Sequence, residues 1–410
     1  MSIMTTEFFD EQNVLGLIGT EWFVRTDGND GNTGRTNTAG GAFLTILHAL
    51  SVAQPGDTVS VNDGTYLTPP LHLSTPNLNF VTLGSVNGSA AVTIKIDDDS
   101  HYITNAGALF QISGVTGFNL VGLTISGSTG AQPSGCVSLV LANQLALVGL
   151  FNCHLTLAQY DFELLHPPPA LTGPAAIAGF CARAGNVNPL AGFPAGTPGH
   201  LHMHNCLCDY YQYAGCYADS AGSTLTADNC TVKGILSLIG PTPWIQQRGF
   251  WLAGGARLSA SNCASIDVGY NGPSVGQPAG WGSGYTCATG GGYLELLNCT
   301  SGTCDAGVRI TASLPGSRLD QVQVTSPTHH GIWLLSGASG VNVTRCTVSA
   351  AAAVGIQADA GSSANTIAGN KATGSGTFDG QDQSSGGGTA GTANFWSGNT
   401  LGSKSPSGLQ

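Results

Sequence analysis

The sequence feature that most constrains the fold is a repeated Asn-Cys dipeptide. It occurs at residues 152–153, 205–206, 229–230, 262–263 and 298–299, in each case beside a short, mostly apolar run. The pattern continues near Gln321, Arg345 and Asn370, at steps of 23, 24 and 25 residues from residue 298 onward. A period of this length is typical of a solenoid, in which each repeat is one coil stacked on the previous one.

Each half of the dipeptide fits the corner of such a coil. Asparagine tolerates the left-handed backbone conformation of a sharp turn, and its amide can bond to the equivalent amide of the next coil. Because stacked strands lie about 4.8 Å apart, these amides are predicted to form a ladder along the solenoid. The cysteine that follows is predicted to point inward as a small buried side chain, neither in a disulfide nor in a zinc site.

Composition agrees with a solenoid and excludes two classes of partner. Charged residues make up 9% of the chain and hydrophobic residues 41%, with 60 glycines, so a core can form from short strands and tight turns. The formal net charge is −11 with 12 basic residues and no basic cluster, which excludes nucleic acid as a partner. No apolar run approaches about 20 residues, so no membrane insertion is expected.

The N-terminal part has its own organisation. Residues 1–20 form a distinct segment with three acids and no basic residue before LGLIG, and so no recognisable signal peptide. Residues 22–34 are predicted to be a strand and an Asp/Gly/Asn loop. Residues 42–66 are predicted to be a helix, ended by Pro55-Gly56, and then a strand. Such a helix would cap the open end of the core. Its apolar stripe comprises Phe43, Ile46, Leu47 and Leu50.

Beyond Tyr66 the chain alternates short apolar runs with Gly, Ser, Asn and Asp, as strands and turns do. Longer steps between repeats locate insertions at roughly 158–199, 234–248 and 271–290. Residues 374–394 are predicted to be a loop, with Phe395 and Trp396 in a final strand or cap. The predicted fold is an all-β, right-handed parallel β-helix with one N-terminal capping helix. Its parts are an attachment segment (1–20), a first strand and capping helix (21–70), the β-helix (71–373), and a C-terminal loop and cap (374–410).

The opening FVRTDGNDGNTG…AFLTILHAL…PGDTVSVNDGTY resembles the first coil of pectate-lyase-like β-helix proteins. The resemblance covers residues 22–70, and the coil repeats extend it to about residue 373. It implies the fold and leaves the activity open, because that superfamily contains lyases, glycosidases, epimerases, adhesins and phage tailspikes. The N-terminal segment and the absent signal resemble phage or phage-like spikes. This implies attachment of residues 1–20 to a particle or tail protein, a homotrimer, and an extracellular location on a virion or phage-like particle.

Counting from the asparagine of each coil picks out candidate catalytic residues. Asp209 and Lys233 stand four residues after it, and Asp267 five, which would place acid, base and acid within roughly 5–10 Å on one face. In a lyase, Lys233 would be the base, with an arginine or a calcium ion neutralising the substrate carboxylate. In a glycosidase, Asp209 and Asp267 would be the paired carboxylates. A salt bridge between Asp209 and Lys233 is the alternative interpretation.

Aromatic residues gather in the same region, since seven of the ten tyrosines and three of the six tryptophans fall between residues 210 and 293. Their rings offer flat surfaces on which sugars can pack. His202 and His204 could act in proton transfer or as a metal pair, or be surface residues, and His329-His330 are interpreted as an exposed loop. The predicted glycan-binding set is Tyr210, Tyr211, Tyr213, Trp244, Tyr270, Trp281, Tyr285, His202, His204 and Arg248.

No cofactor or metal ion is predicted, with calcium left open. The set that most resembles calcium ligands is Asp27, Asn29, Asp30 and Asn32, for which hydrogen bonds within the loop are the alternative. The sequence thus predicts a particle spike that recognises cell-surface polysaccharide along residues 200–290, with cleavage open. The alternatives are a secreted polysaccharide lyase using Lys233 and a structural adhesin without a glycan site.

Overall fold

The computed structural model describes residues 19–96, 108–127, 138–156, 180–185, 197–211, 213–234, 247–269, 282–288 and 290–410. The chain divides into two compact units. Unit one comprises residues 1–178 and 182–207, and unit two comprises residues 179–181 and 208–410. In both units short parallel strands repeat in a fixed order through three sheets, here named A, B and C. The architecture is the predicted right-handed parallel β-helix.

Unit one contains the first strands of all three sheets. Sheet A is formed by β1 Glu21–Val24, β2 Thr58–Val61, β5 Thr82–Ser85, β8 Thr116–Val121, β11 Leu147–Phe151 and β14 His200–His204. Sheet B is formed by β3 Gly64–Thr68, β6 Val92–Ile96, β9 Thr124–Ser126 and β12 His154–Thr156. Sheet C is formed by β4 Leu71–Leu73, β7 Ala108–Ser113 and β10 Ser138–Asn143.

Unit two repeats the order B, C, A through successive coils, and the strands β13 and β15 have residues in both units. Sheet C continues with β13 Phe180–Ala184, β16 Ala214–Ala218, β19 Arg248–Leu252, β22 Ser283–Cys287, β25 Ala306–Ala312, β28 His330–Gly337, β31 Val354–Ala358, β34 Phe378–Asp382 and β37 Lys404–Ser405. Sheet A continues with β17 Thr224–Asp228, β20 Arg257–Ser261, β23 Tyr293–Leu297, β26 Arg318–Asp320, β29 Asn342–Thr344, β32 Thr366–Ala368 and β35 Phe395–Ser397. Sheet B continues with β15 Leu207–Asp209, β18 Thr231–Lys233, β21 Ala264–Ile266, β24 Thr300–Gly302, β27 Gln323–Thr325, β30 Thr347–Ser349, β33 Lys371–Thr373 and β36 Thr400–Leu401.

The Asn-Cys dipeptide forms the corner between sheets A and B, as predicted. The asparagines at 152, 205, 229, 262 and 298 all have left-handed φ angles of 52–54°. The predicted amide ladder is present in part: Asn205 Nδ2 donates to Asn152 Oδ1 at 2.7 Å, and Asn298 Nδ2 donates to Asn262 Oδ1 at 2.8 Å. Every cysteine among the described residues is buried and free of disulfides.

The predicted register is wrong by one residue at Asn370. The left-handed residue of that coil is Gly369, with φ 65°, and Asn370 occupies the inward position that cysteine holds elsewhere. Its buried amide is satisfied, because Asn370 Oδ1 accepts from the Cys346 backbone N–H at 2.8 Å and Asn370 Nδ2 donates to Asn399 Oδ1 at 3.0 Å. An inward asparagine ladder therefore replaces the cysteines in the last coils.

A column of glycines brings sheet C close to sheet B. In unit two these glycines occupy the second position of successive sheet C strands. A Cβ added at Gly307 would lie 2.4 Å from Val324 Cγ1, and one added at Gly249 would lie 2.2 Å from Ser265 Oγ. The core is therefore too narrow there for any larger residue. The column comprises Gly215, Gly249, Gly284, Gly307, Gly331 and Gly355.

Among the described residues there is one α-helix, α1 Ile46–Val52, which contacts β1, β2 and β3. Thr45 caps its N-terminus by accepting from the His48 N–H at 3.2 Å. Ile46, Ala49 and Leu50 are buried, but Leu47, expected in the apolar stripe, is 49% exposed. The buried stripe is therefore narrower than the spacing of large apolar residues suggested. No helix among the described residues is long and apolar enough to span a bilayer.

The C-terminal region differs from the expected loop. Residues 378–382 form β34, and β35, β36 and β37 follow in sheets A, B and C. Side-chain bonds replace apolar packing here, because Asp382 accepts from Trp396 Nε1 at 2.8 Å and from Asn394 Nδ2 at 3.1 Å. Strands of this kind cannot be recognised from apolar residues in such a Gly/Ser-rich sequence. The predicted attachment segment lies outside the described residues except for its last two positions.

Candidate functional site

The corner between sheets B and C carries the longest connections of the described coils. In unit two, β18 ends at Lys233 while β19 begins at Arg248, and β21 ends at Ile266 while β22 begins at Ser283. One coil later, β24 ends at Gly302 and β25 begins at Ala306. The insertion predicted at 234–248 falls at this corner, but that predicted at 271–290 extends too far, because it contains β22. Residues 235–246 and 270–281 lie outside the described part.

The three candidate catalytic residues lie where sheet B strands reach this corner. Asp209 and Lys233 are each the last residue of a three-residue strand whose middle residue is buried, but Asp209 is itself buried, at 9% exposure, whereas Lys233 is exposed. The register pairs Lys233 with Ile266, which places Asp267 one residue further along, at a left-handed φ of 58°. Lys233 is exposed and forms no ion pair within the described part of the chain, so the alternative of a salt bridge to Asp209 is not observed.

An aromatic cluster occupies the outer face of sheet C directly after this corner. Tyr217 and Trp251 are register partners on β16 and β19, and their rings stack at 4.1 Å. Phe180 of β13 stacks on Tyr217 at 5.1 Å. Tyr213 meets Trp251 edge-on at 5.2 Å, and the guanidinium of Arg248 lies 4.4 Å from the Trp251 ring. We call Phe180, Tyr213, Tyr217, Arg248 and Trp251 the aromatic cluster. Phe180 is fully buried, and Tyr217 and Trp251 are 7% and 8% exposed.

The same outward row continues through later coils. The register places Thr286, Arg309, Trp333 and Gln357 in sequence after Trp251. Arg309 lies 5.8 Å from the Trp333 ring centroid. Trp333 Nε1 donates to Asp359 Oδ1 at 2.8 Å. Aromatic and arginine side chains thus line this row over several coils of unit two.

Two donors in this row have no acceptor among the described residues. Trp251 is 8% exposed, and its Nε1 is sealed from solvent without a hydrogen bond to any part of the chain that the structure describes. The same holds for Nε of Arg309, which is also 8% exposed. Burial and the neighbouring charge of Arg248 lower the pKa of Arg309 to about 10. Arg309 therefore remains charged at neutral pH.

Adjacent to this row lies His330, which was expected in an exposed loop. It is instead the first residue of β28 and is buried, with its ring 4.5 Å from that of Trp333. Burial, and then the charge of His329, lower the pKa of His330 to about 4. The imidazole is therefore neutral at physiological pH.

The predicted glycan-binding residues fall into separate places. Tyr213 and Arg248 are in the aromatic cluster, and Tyr210 is exposed near the same corner with φ 47°. Tyr211 and Tyr285 are fully buried inside unit two, so their rings offer no surface to an outer ligand. The hydroxyl of Tyr285 instead donates to core backbone carbonyls, that of Cys263 at 2.9 Å and that of Thr300 at 3.1 Å.

His202 and His204 alternate outward on β14 in unit one, and the Phe151 ring lies 5.6 Å from that of His202. Three other members of the predicted set cannot be placed. Trp244, Tyr270 and Trp281 lie outside the described residues.

The calcium-like loop of unit one is occupied by its own hydrogen bonds. Asp30 accepts from the N–H groups of Leu44 and Thr45 at 2.8 and 2.9 Å, and Asp27 pairs with Arg25 at 2.8 Å. Asn32 Nδ2 donates to the Ala42 carbonyl at 2.8 Å. Within the described ranges no group of three or more His, Cys, Asp or Glu side chains has an arrangement that could hold a metal ion.

Sequence reasoning missed Tyr217, Trp251, Arg309 and Trp333, although a signal for them exists. The sheet C strands share a pattern in which glycine is followed by one inward and one outward residue: AGCYA, RGFWL, SGYTC, AGVRI, HGIWL and VGIQA. Counting two residues from each glycine gives the outward row. The asparagine of the A–B corner is a poor reference for sheet C, because the insertions lie between them.

Comparison with known proteins agrees with this architecture. Residues 195–400 match the sequence model of the family described as "Right handed beta helix region". The chain therefore belongs to the right-handed β-helix family. No curated protein sequence matches it.

Among solved structures, the Dettilon tailspike protein is 14% identical with a TM-score of 0.58, and the match covers 88% of this chain and 62% of that one. This chain thus spans less than two thirds of that tailspike. A rhamnogalacturonan lyase is 12% identical with a TM-score of 0.46, covering 93% and 87% of the two chains. Pectate lyase Pel9A is 11% identical with a TM-score of 0.39, covering 94% and 78%. At these identities the likeness concerns the fold alone.

Proposed function

We propose that this protein is a spike or receptor-binding protein that recognises cell-surface polysaccharide through the outer face of sheet C in unit two. The observation that carries the proposal is the stacked pair Tyr217–Trp251, whose indole N–H lacks an acceptor among the described residues. Aromatic faces pack against sugar rings, and an indole N–H without an acceptor would donate a hydrogen bond to a sugar hydroxyl that reached it. The likeness in fold to a tailspike is in keeping with this role.

A glycan array with the intact protein tests the proposal. We expect binding to a limited set of bacterial surface polysaccharides, and roughly threefold to tenfold weaker binding by Tyr213→Ala and Trp251→Phe. The second variant keeps an aromatic ring and removes the donor. Tyr293→Ala is the matched control, because Tyr293 also lies beneath an arginine, at 4.4 Å, but on sheet A. Absence of binding to any glycan, or equal loss with the control, would contradict the proposal.

Cleavage of the bound glycan is a second candidate function. It is favoured by exposed Lys233, which has no ion-pair partner among the described residues and lies beside Asp209 and Asp267 at the corner that leads to the aromatic cluster. A lyase would release unsaturated sugar that absorbs in the ultraviolet, and Lys233→Ala would abolish this. A glycosidase would depend on Asp209 and Asp267 and would release saturated product. Binding without product from any array hit leaves the protein a non-enzymatic receptor-binding protein or adhesin.

We extend the proposed spike role to attachment to a particle and to assembly into an oligomer. We propose that residues 1–20 attach the protein to a particle or tail protein, that the protein is a homotrimer, and that it acts outside the cell on a virion or phage-like particle. Light scattering on the purified protein is expected to give three times the chain mass of 41.5 kDa. Deleting residues 1–20 is expected to leave glycan binding unchanged and to abolish incorporation into particles. A monomer, or particles that retain the truncated protein, would contradict these proposals.

A further inference from the structure

Arg309 differs in its surroundings from the three arginines that form ion pairs within the described residues. Arg25 pairs with Asp27, and both Arg318 and Arg345 pair with Asp320. Arg309 is more buried than any of these, yet no carboxylate pairs with it in the part of the chain that the structure describes. Its Nε is sealed from solvent and has no acceptor there.

A buried cation without a counter-charge is costly, because desolvation is not repaid by an ion pair. The neighbouring charge of Arg248 adds repulsion, which together with burial lowers the pKa of Arg309 to about 10. At neutral pH the guanidinium stays charged all the same. The free protein therefore keeps a cationic group that an incoming anion would stabilise.

The position of Arg309 links this charge to the aromatic row. Trp251 precedes it by two strands and Trp333 follows it by one in the same outward register. Strands of a sheet lie about 4.8 Å apart, so the two indoles flank Arg309 over about 14 Å. A guanidinium between two aromatic surfaces suits a chain of sugar rings that carries an acidic substituent, because it binds planar oxyanions through two parallel hydrogen bonds.

We propose that Arg309, flanked by Trp251 and Trp333, binds an oxyanion of the glycan, a carboxylate or a sulfate ester, and that the recognised polysaccharide is therefore acidic. This inference rests on the proposed function and specifies its ligand class. Arg248, stacked on Trp251, supplies a second positive charge on the same face.

The test uses an array of acidic and neutral bacterial polysaccharides. The intact protein is expected to bind acidic members only, and Arg309→Gln is expected to weaken that binding at least tenfold. Arg257→Gln is the matched control, because Arg257 also stacks on an aromatic ring but lies exposed on sheet A. It should change affinity less than twofold. Carboxyl reduction of the bound polysaccharide abolishes binding if the oxyanion is a uronate, and desulfation does so if it is a sulfate ester.

A measurement without glycan separates binding from structure. Arg309→Met removes the charge and keeps the length of the side chain, so it is expected to raise the Tm of the free protein while weakening glycan binding. Neutral polysaccharides among the hits, or unchanged affinity in Arg309→Gln, would overturn the acidic assignment and leave the proposed function standing. Weaker binding accompanied by a lower Tm in Arg309→Met would overturn it as well. Binding to neither class would contradict both proposals.

Discussion

At the scale of single residues, the asparagine of the A–B corner has two roles, one in the backbone turn and one in the amide ladder. The asparagine at each corner adopts a φ angle near 52°, which most residues avoid, and its amide bonds to the neighbouring coil. Where glycine takes the left-handed position, as at Gly369, the amide ladder moves one residue inward to Asn370. The backbone angle and the amide bond are therefore separable contributions to stability.

Substitutions at Asn298 test this separation. Asn298→Ala should lower the free energy of unfolding by about 1–2 kcal/mol, because alanine disfavours the left-handed conformation and the bond to Asn262 is lost. Asn298→Gly loses the same bond but accepts the backbone angle, so it should be less destabilising. Chemical denaturation of the two variants measures the difference. Equal losses would mean that the amide bond alone determines the effect.

At the scale of elements, the glycine column and the small side chains of sheet B fit each other. Ser265 and Ser301 lie opposite Gly249 and Gly284, next to the large inward rings of Phe250 and Tyr285, which stack at 5.1 Å. Their packing has no spare volume, so the width of the coil is set jointly by both sheets. A substitution in one strand therefore alters the packing of the strand across the core.

Gly307→Ala is expected to destabilise the protein by about 1–3 kcal/mol, since its Cβ would overlap Val324 Cγ1. Gly302→Ala is the matched control on the nearby strand β24, because a Cβ there meets nothing within 4 Å. Thermal unfolding followed by circular dichroism compares the two. A Gly302→Ala variant as destabilised as Gly307→Ala would show that overlap with Val324 is not the cause of the destabilisation.

The repeated elements could be predicted from the sequence. The burial of side chains that depend on packing across the core could not. The Asn-Cys period located the coils, since a backbone angle limits which residues can occupy it. The position of Asp209 and Lys233 at the ends of equivalent sheet B strands followed from the same count, but the burial of Asp209 did not. The burial of Tyr285 did not, because it depends on space that Ser265 and Ser301 leave inside the coil. Arg309 was missed because its significance lies in the absence of a paired carboxylate among the described residues, which the sequence alone does not show.

At the scale of the whole molecule, charge is sparse and mostly negative. The chain carries a formal net charge of −11 on 410 residues, yet the aromatic cluster contains Arg248 and the adjoining row on sheet C contains Arg309. Long-range electrostatics therefore oppose the approach of an acidic polysaccharide, while the local contact favours it once formed. Dissolved salt weakens the long-range repulsion far more than the local contact, because buried pairs are screened less than exposed charges.

The association rate for an acidic polysaccharide should therefore increase as the salt concentration rises from about 20 to 150 mM, where the Debye length shortens to about 8 Å. A protein that captures polyanions with an exposed basic patch shows the opposite trend. Biolayer interferometry with immobilised polysaccharide measures the rate at each concentration. A rate that falls with salt would indicate that a basic surface outside this row captures the polymer.

The long connections at the B–C corner carry a consequence for how such a protein can diversify. The left-handed residues of the A–B corner and the glycine column of unit two lie outside these long connections. Between β18 and β19, or β21 and β22, the chain can lengthen without shifting any of them. Related chains can therefore exchange whole segments at this corner and acquire new specificities while inheriting the same scaffold. The same property makes the connection between Gly234 and Gln247, both of which are packed in place, a natural place to graft a foreign recognition loop.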